Sequence, residues 1–137
     1  MLCLRLARYK KENKELLTYL LFDSSDESAY IAGIKKEIDE QFELINVESA
    51  YYIKKSVRKS LKITRKYIRY SGKKETEVEL LIYFCSKIIE FPSQIRRITA
   101  LQNLFDRLIE SIKKTIKSLH EDLQFDYGKE LEKLSVK

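Results

Sequence analysis

The sequence predicts an all-α fold: one antiparallel bundle of about five helices, stacked as helical hairpins, with the fourth helix the most buried. Three observations carry this. The 137 residues include only 3 Gly and 1 Pro. These residues turn or break a chain, and a β-protein of this length needs many more of them. Apolar residues recur at spacings of three and four over long stretches, the period of a helix face. The predicted connections are short, and short loops between long helices force neighbours to run antiparallel. The length fits one domain with a real core. Residues 1–128 are expected to form that domain and 129–137 a frayed tail.

The first helix is predicted over about 2–22, with Leu2, Leu6, Tyr9, Leu16, Leu17 and Leu20 on one broad face. The second runs from about 25 to 45, with Ile31, Ile34, Ile38, Phe42 and Ile45 at three-four spacing. Ser24 and Glu27 have the spacing of a capping box, in which each side chain satisfies a free backbone N–H of the other. Gly33 interrupts this helix at a cost in stability and is expected to mark close packing. Asn46 reads as a break and a new N-cap.

The third helix, about 47–70, carries a stripe of Ala50, Ile53, Val57, Leu61, Thr64 and Ile68. Ser71-Gly72 closes it, because Gly tolerates the left-handed conformation at a helix end. Thr76 and Glu79 suggest a second capping box. It opens a fourth helix, about 76–91, that is apolar nearly all round and therefore buried. Pro92 ends it. The fifth helix is predicted from about Ser93 to 127, with Ile98, Leu101, Phe105, Leu108, Ile112 and Leu119 on its stripe. Gly128 is expected to end or kink it.

Charged residues make up 35% and hydrophobic residues 44%, which excludes a disordered chain. The formal net charge is +6, so anionic partners fit the chain electrostatically. The start, MLCLRLARYKK, lacks a signal peptide's apolar core, since Arg5 and Arg8 interrupt it. The longest apolar run, LLIYFC at 80–85, is far short of a membrane span. Two cysteines, Cys3 and Cys85, make no disulfide framework, and with one histidine they make no zinc signature. A cytoplasmic protein without membrane contact, metal or cofactor is expected.

The most informative stretch is KKSVRKSLKITRKYIRYSGKK, residues 54–74, with ten Lys or Arg and no acid. At 100° per residue, Lys54, Lys55, Arg58, Lys59, Lys62, Arg65, Lys66 and Arg69 fall within roughly 140° of arc, away from the apolar stripe. Lys73 and Lys74 extend the charge into the loop. Tyr51 lies within the sector, and Tyr52 and Tyr70 at its edge. Ordinary surface helices mix signs. Here the pairs 54–58, 55–59, 58–62, 62–66 and 65–69 are all alike, each costing about 0.2–0.5 kcal/mol. Such a face is either a solvated surface kept at a modest cost or one that suggests an anionic partner, inside the chain or outside it.

The inside candidate is the second helix, rich in acids. Its Asp39, Glu40 and Glu43 are expected to face outward, leaving flank residues such as Glu37 to meet flank lysines. Pairing is then partial, and the outer surface bipolar, a shape that suits self-association. The outside candidates are phosphates, with Tyr70 as a stacking or hydrogen-bonding anchor. An anionic membrane surface is disfavoured, because the apolar side is committed to the core.

Catalytic chemistry is sparse. The three glycines are isolated, so no phosphate-binding loop exists. His120 adjoins Glu121, but neighbours on a helix point about 100° apart and do not converge. Cys85 has an apolar setting that keeps its thiol neutral and inert. No small-molecule substrate is evident.

Three stretches, LLTYLLFDSSDE (16–27), RKYIRYSGKKETEVELLIYFC (65–85) and SLHEDLQFDYGKEL (118–131), carry a resemblance. They resemble a family of short, wholly helical hypothetical proteins from Bacteroidetes bacteria. The resemblance covers about 16–131 and implies a helical fold in a bacterial cytoplasm, with no activity, ligand or catalytic residue attached.

The expected function is non-enzymatic contact with an anionic macromolecule, nucleic acid foremost, through the basic face of the third helix. The residues expected there are Lys54, Lys55, Arg58, Lys59, Lys62, Arg65, Lys66, Arg69, Tyr70, Lys73 and Lys74. The alternative is a protein–protein adaptor or self-associating scaffold. An enzyme using His120 with nearby carboxylates is the most distant reading.

Overall fold

The computed structural model describes residues 26–135. The predicted first helix, Cys3 and Ser24 lie outside the described residues. Those described form six helices and no strand: α1 (Glu27–Glu43), α2 (Ala50–Ser71), α3 (Lys74–Ile89), α4 (Ser93–Arg96), α5 (Thr99–Ile116) and α6 (Glu121–Ser135). The all-α class is as the sequence predicted.

The capping differs from expectation at three of the helix starts. Asp26, not Ser24, caps α1, its carboxylate accepting from the Ala29 N–H at 3.0 Å. Ser49, not Asn46, caps α2, accepting from Tyr52 N–H at 3.3 Å. Asn46 instead folds its own loop, its side-chain oxygen taking the Glu48 N–H at 2.9 Å. α3 begins at Lys74 with no side-chain cap, two residues before the predicted start.

Glu27 and Thr76, expected in separate capping boxes, bond to each other. The buried Thr76 hydroxyl donates to Glu27 Oε1 at 3.2 Å. Ser71 Oγ donates to the same oxygen at 2.8 Å, and Lys73 Nζ lies 3.1 Å from Glu27 Oε2. One carboxylate thus fastens the start of α1 to the α2–α3 turn. That turn forms as predicted. Gly72 adopts φ 68°, a left-handed conformation open to Gly at little cost, and its N–H reaches Ile68 O at 3.0 Å.

Cross-helix bonds fix the directions. Tyr30 donates its hydroxyl proton to Tyr67 O at 2.7 Å, and Ser60 Oγ donates to Gln41 Oε1 at 2.5 Å. Numbers rise on α1 as they fall on α2, so this pair is antiparallel. Glu27 meets Thr76, Lys35 meets Glu79 at 3.2 Å, and Asp39 meets Lys87 at 3.3 Å. α1 and α3 therefore run parallel.

As expected, α3 buries the most side chains, Val78, Leu80, Leu81, Ile82, Phe84, Cys85 and Ile88 among them. It packs against α1, α2, α5 and α6, and α5 also packs against α6. Two three-helix clusters share α3. At the far end Phe42 meets Phe84 edge-on at 5.1 Å and Phe91 at 5.7 Å.

The single long helix expected after Pro92 is instead three. Ile98 leaves helical geometry with ψ 120°, and a second break follows Ile116. Gln124 supports the second break, its amide nitrogen donating to Leu119 O at 2.7 Å and Lys117 O at 3.4 Å. Apolar spacing continues through both breaks, so periodicity alone does not expose them. Gly128 does not end a helix but sits within α6. Residues 129–135 of the expected frayed tail are helical, with Leu131 and Leu134 buried in the core, and 136–137 lie outside the described residues.

Gly33 is exposed, and a Cβ added there meets nothing within 4 Å among the described residues. The expectation of close packing at this glycine fails, and only its helix penalty is left. Two substitutions bracket the packing, read by urea unfolding. Phe84→Ala is expected to lower stability by about 3–5 kcal/mol, the cost of a large aromatic lost from a closed core. Gly33→Ala is expected to raise it by about 0.5–1 kcal/mol.

Candidate functional site

α2 carries eight Lys and Arg and no acid. Ile53, Val57, Leu61 and Ile68 turn inward with Ser60 and Thr64, and Thr64 Oγ1 donates to Ser60 O at 3.0 Å so that its polar atom is satisfied in the core. This fixes the rotation of the helix. Lys55, Arg58, Lys59, Lys62, Arg65 and Arg69 are exposed, while Lys54 and Lys66 are half-buried at the margins. Lys66 Nζ lies 4.9 Å from the centre of the Tyr67 ring.

The structure does not bring all the expected residues onto one surface. Lys73 is held by Glu27 and belongs to the clamp at the α2–α3 turn. Lys74 opens α3. Tyr70 is half-buried, its ring edge-to-face with Tyr67 at 6.0 Å, and is not an outward anchor.

The exposed aromatics are at the other end of α2. Tyr51 and Tyr52, in its first turn, are 64% and 44% exposed, with ring centres 5.4 Å apart. Lys55 Nζ sits 6.0 Å from the Tyr51 ring centre. In the connection leading into this turn, Leu44 and Val47 are 84% and 60% exposed. The sequence signal for Tyr51 was its position inside the cationic sector. No comparable signal marks Leu44 or Val47.

The acids of α1 do not neutralise this face. Glu37 accepts from the Tyr67 hydroxyl at 3.4 Å and from Gln41 at 3.5 Å. Asp39 does not face outward as expected but turns to α3, accepting from the Tyr83 hydroxyl at 2.5 Å and pairing with Lys87. Among the described residues, Lys54, Lys55, Arg58, Lys59, Lys62, Arg65 and Arg69 take part in no ion pair.

Other chemistry is thin among the described residues. No group of three or more His, Cys, Asp and Glu side chains could hold a metal ion there. His120 is exposed and lies between α5 and α6, with Nδ1 accepting the Asp122 N–H at 3.3 Å. Its ring also lies 3.7 Å from Asp122 Oδ2, and both side chains are largely exposed. Burial pushes the Cys85 thiol up to about 12, which keeps it protonated. An open groove of about 980 Å³ between α3, α5 and α6 has an apolar floor and a rim of mixed sign, Arg97 and Lys113 against Asp106. No helix there is long and apolar enough to cross a membrane.

No family model, curated protein or solved structure matches the chain. The residues themselves carry the functional argument.

Tyr83 and Tyr127 supply a measurable signature of the packing around α3. Burial, then the Asp39 carboxylate, pushes the Tyr83 phenol from 10.0 up to about 12. Burial, then the charges of Glu79, Glu75 and Glu130, raises Tyr127 to about 12. Burial pulls the Lys87 ammonium down, but its bonds to Glu90 and Asp39 outweigh that and leave it raised. Each raised group favours the folded chain fully below its unfolded value, and that contribution is lost as pH climbs through the folded value. In an absorbance titration of the nine tyrosines, Tyr83 and Tyr127 should ionise late, near pH 12. Melting temperature should fall from about pH 10 upward. Tyr83→Phe should remove one late phenol.

Proposed function

We propose that this protein is a non-enzymatic binding module that contacts an anionic macromolecule, nucleic acid foremost, through the cationic face of α2. One observation carries the reading. Lys55, Arg58, Lys59, Lys62, Arg65 and Arg69 stand exposed along about 21 Å of helix, with no carboxylate partner among the described residues. Glu37, the acid expected to meet the flank lysines, accepts instead from the Tyr67 hydroxyl and from Gln41.

A row of unpaired cations meets a phosphate backbone by releasing its condensed counterions, which gives affinity without sequence reading. Over residues 54–74 Lys outnumbers Arg seven to three. That balance suits charge attraction better than bidentate recognition of bases. A membrane surface fits less well, since an interfacial helix needs its apolar face free. In α2 that face is in the core. A bacterial cytoplasm, implied by the family resemblance, accords with this reading.

A second reading, docking of a protein, has one specific observation behind it: the exposure of Leu44 and Val47 beside the start of α2. It would place an apolar contact, not a phosphate, at the centre of the interface.

Binding of mixed-sequence nucleic acid across a salt series separates the two. Affinity is expected to fall with a log–log slope of roughly −0.9 per contacted duplex phosphate. Reversing Arg58, Lys62 and Arg65 to Glu should abolish binding with the melting temperature retained. Full binding by that triple variant sinks the proposal. A defined protein retained after nuclease treatment, with no affinity for nucleic acid, establishes the second reading instead.

A further inference from the structure

We infer that the α2 face takes single-stranded rather than duplex nucleic acid, with Tyr51 and Tyr52 as the platform on which unpaired bases stack. The inference rests on the nucleic-acid reading above and deepens it. Two tyrosine rings at the first turn of α2 are exposed, one of them inside the cationic sector. Their planes are 75° apart, so they present faces in different directions and not a single slab. Exposed aromatic rings carry a cost in water that a base face relieves.

A duplex has no use for such rings. Its base faces are covered by their neighbours, and only the edges can be read in the grooves. Edge reading favours Arg, Asn and Gln, yet α2 contains no Asn or Gln at all. Single strands offer bare base faces, and a protein holds them with a cationic track and aromatic platforms in combination. α2 has that combination in that order. The rings come first, Lys55 lies one turn on from Tyr51, and the remaining cations continue along the helix. Lys55 is placed to meet the phosphate that follows a base stacked on Tyr51. Stacking is tolerant of base identity, so little sequence preference is expected.

The test compares labelled oligo(dT) and oligo(U) with a hairpin duplex by fluorescence anisotropy at one salt concentration. The wild-type chain is expected to favour the single strands. The Tyr51→Ala/Tyr52→Ala double variant should lose about 10- to 100-fold on single strands, with duplex affinity and the salt slope unchanged. Tyr51→Phe/Tyr52→Phe should retain single-strand affinity, because the ring and not the hydroxyl does the stacking. Both positions are exposed, so the melting temperature should hold in either variant. Equal loss on both polymers, or no loss on single strands, overturns the inference and leaves the charge-based reading standing. Undiminished binding after reversal of Arg58, Lys62 and Arg65 overturns the reading beneath it.

Discussion

The structure depends on one constraint: α3 has almost no face that can meet water. Thr76, Val78, Leu80, Leu81, Ile82, Phe84, Cys85 and Ile88 together cover roughly two thirds of its circumference, and all are buried. At about 25 cal/mol per Å² of apolar surface, a helix of this kind is stable only when enclosed. α1, α2, α5 and α6 enclose it. Each of these needs just one apolar stripe, so each keeps an outer face free for other chemistry. The outer face of α2 became uniformly cationic within that freedom.

Hydroxyl–carboxylate bonds then decide which charges remain for solvent. Glu27 accepts hydrogen bonds from Ser71 and Thr76, and Asp39 accepts one from Tyr83. Such bonds to a charged acceptor are worth more than neutral ones, and a half-buried carboxylate left without them is costly. Glu27 therefore points at the α2–α3 turn and Asp39 at α3, while Glu37 meets the Tyr67 hydroxyl and Gln41. Among the described residues, the six exposed cations of α2 are left without a carboxylate partner, although α1, with five acids to two bases, is its antiparallel neighbour.

Much of this was legible in the sequence, and the failures share a cause. The stripe of α2, its end at Gly72 and the burial of α3 follow from residue spacing within one helix. The caps did not. Thr76 and Glu79 have the right spacing for a local pair, but Thr76 found Glu27 across the fold. The direction of Asp39 was missed because it depends on how α1 is rolled against α3, which no local pattern encodes. Lys73 was assigned to the binding surface for the same reason. The breaks at Ile98 and after Ile116 left no trace in the apolar spacing, since the same cluster of buried residues continues on both sides.

The single-sign face of α2 links the fold thermodynamically to its ionic surroundings. Its like charges repel along the helix, and dissolved ions screen that repulsion over about 10 Å at 0.1 M. Added salt thus tightens the empty protein while it loosens any complex with a polyanion. The two responses have opposite sign. A polyanion lying along the face does the screening itself, so part of the association free energy reappears as resistance to unfolding. On the proposed function, the occupied chain would be the more durable form, with its advantage greatest in dilute electrolyte.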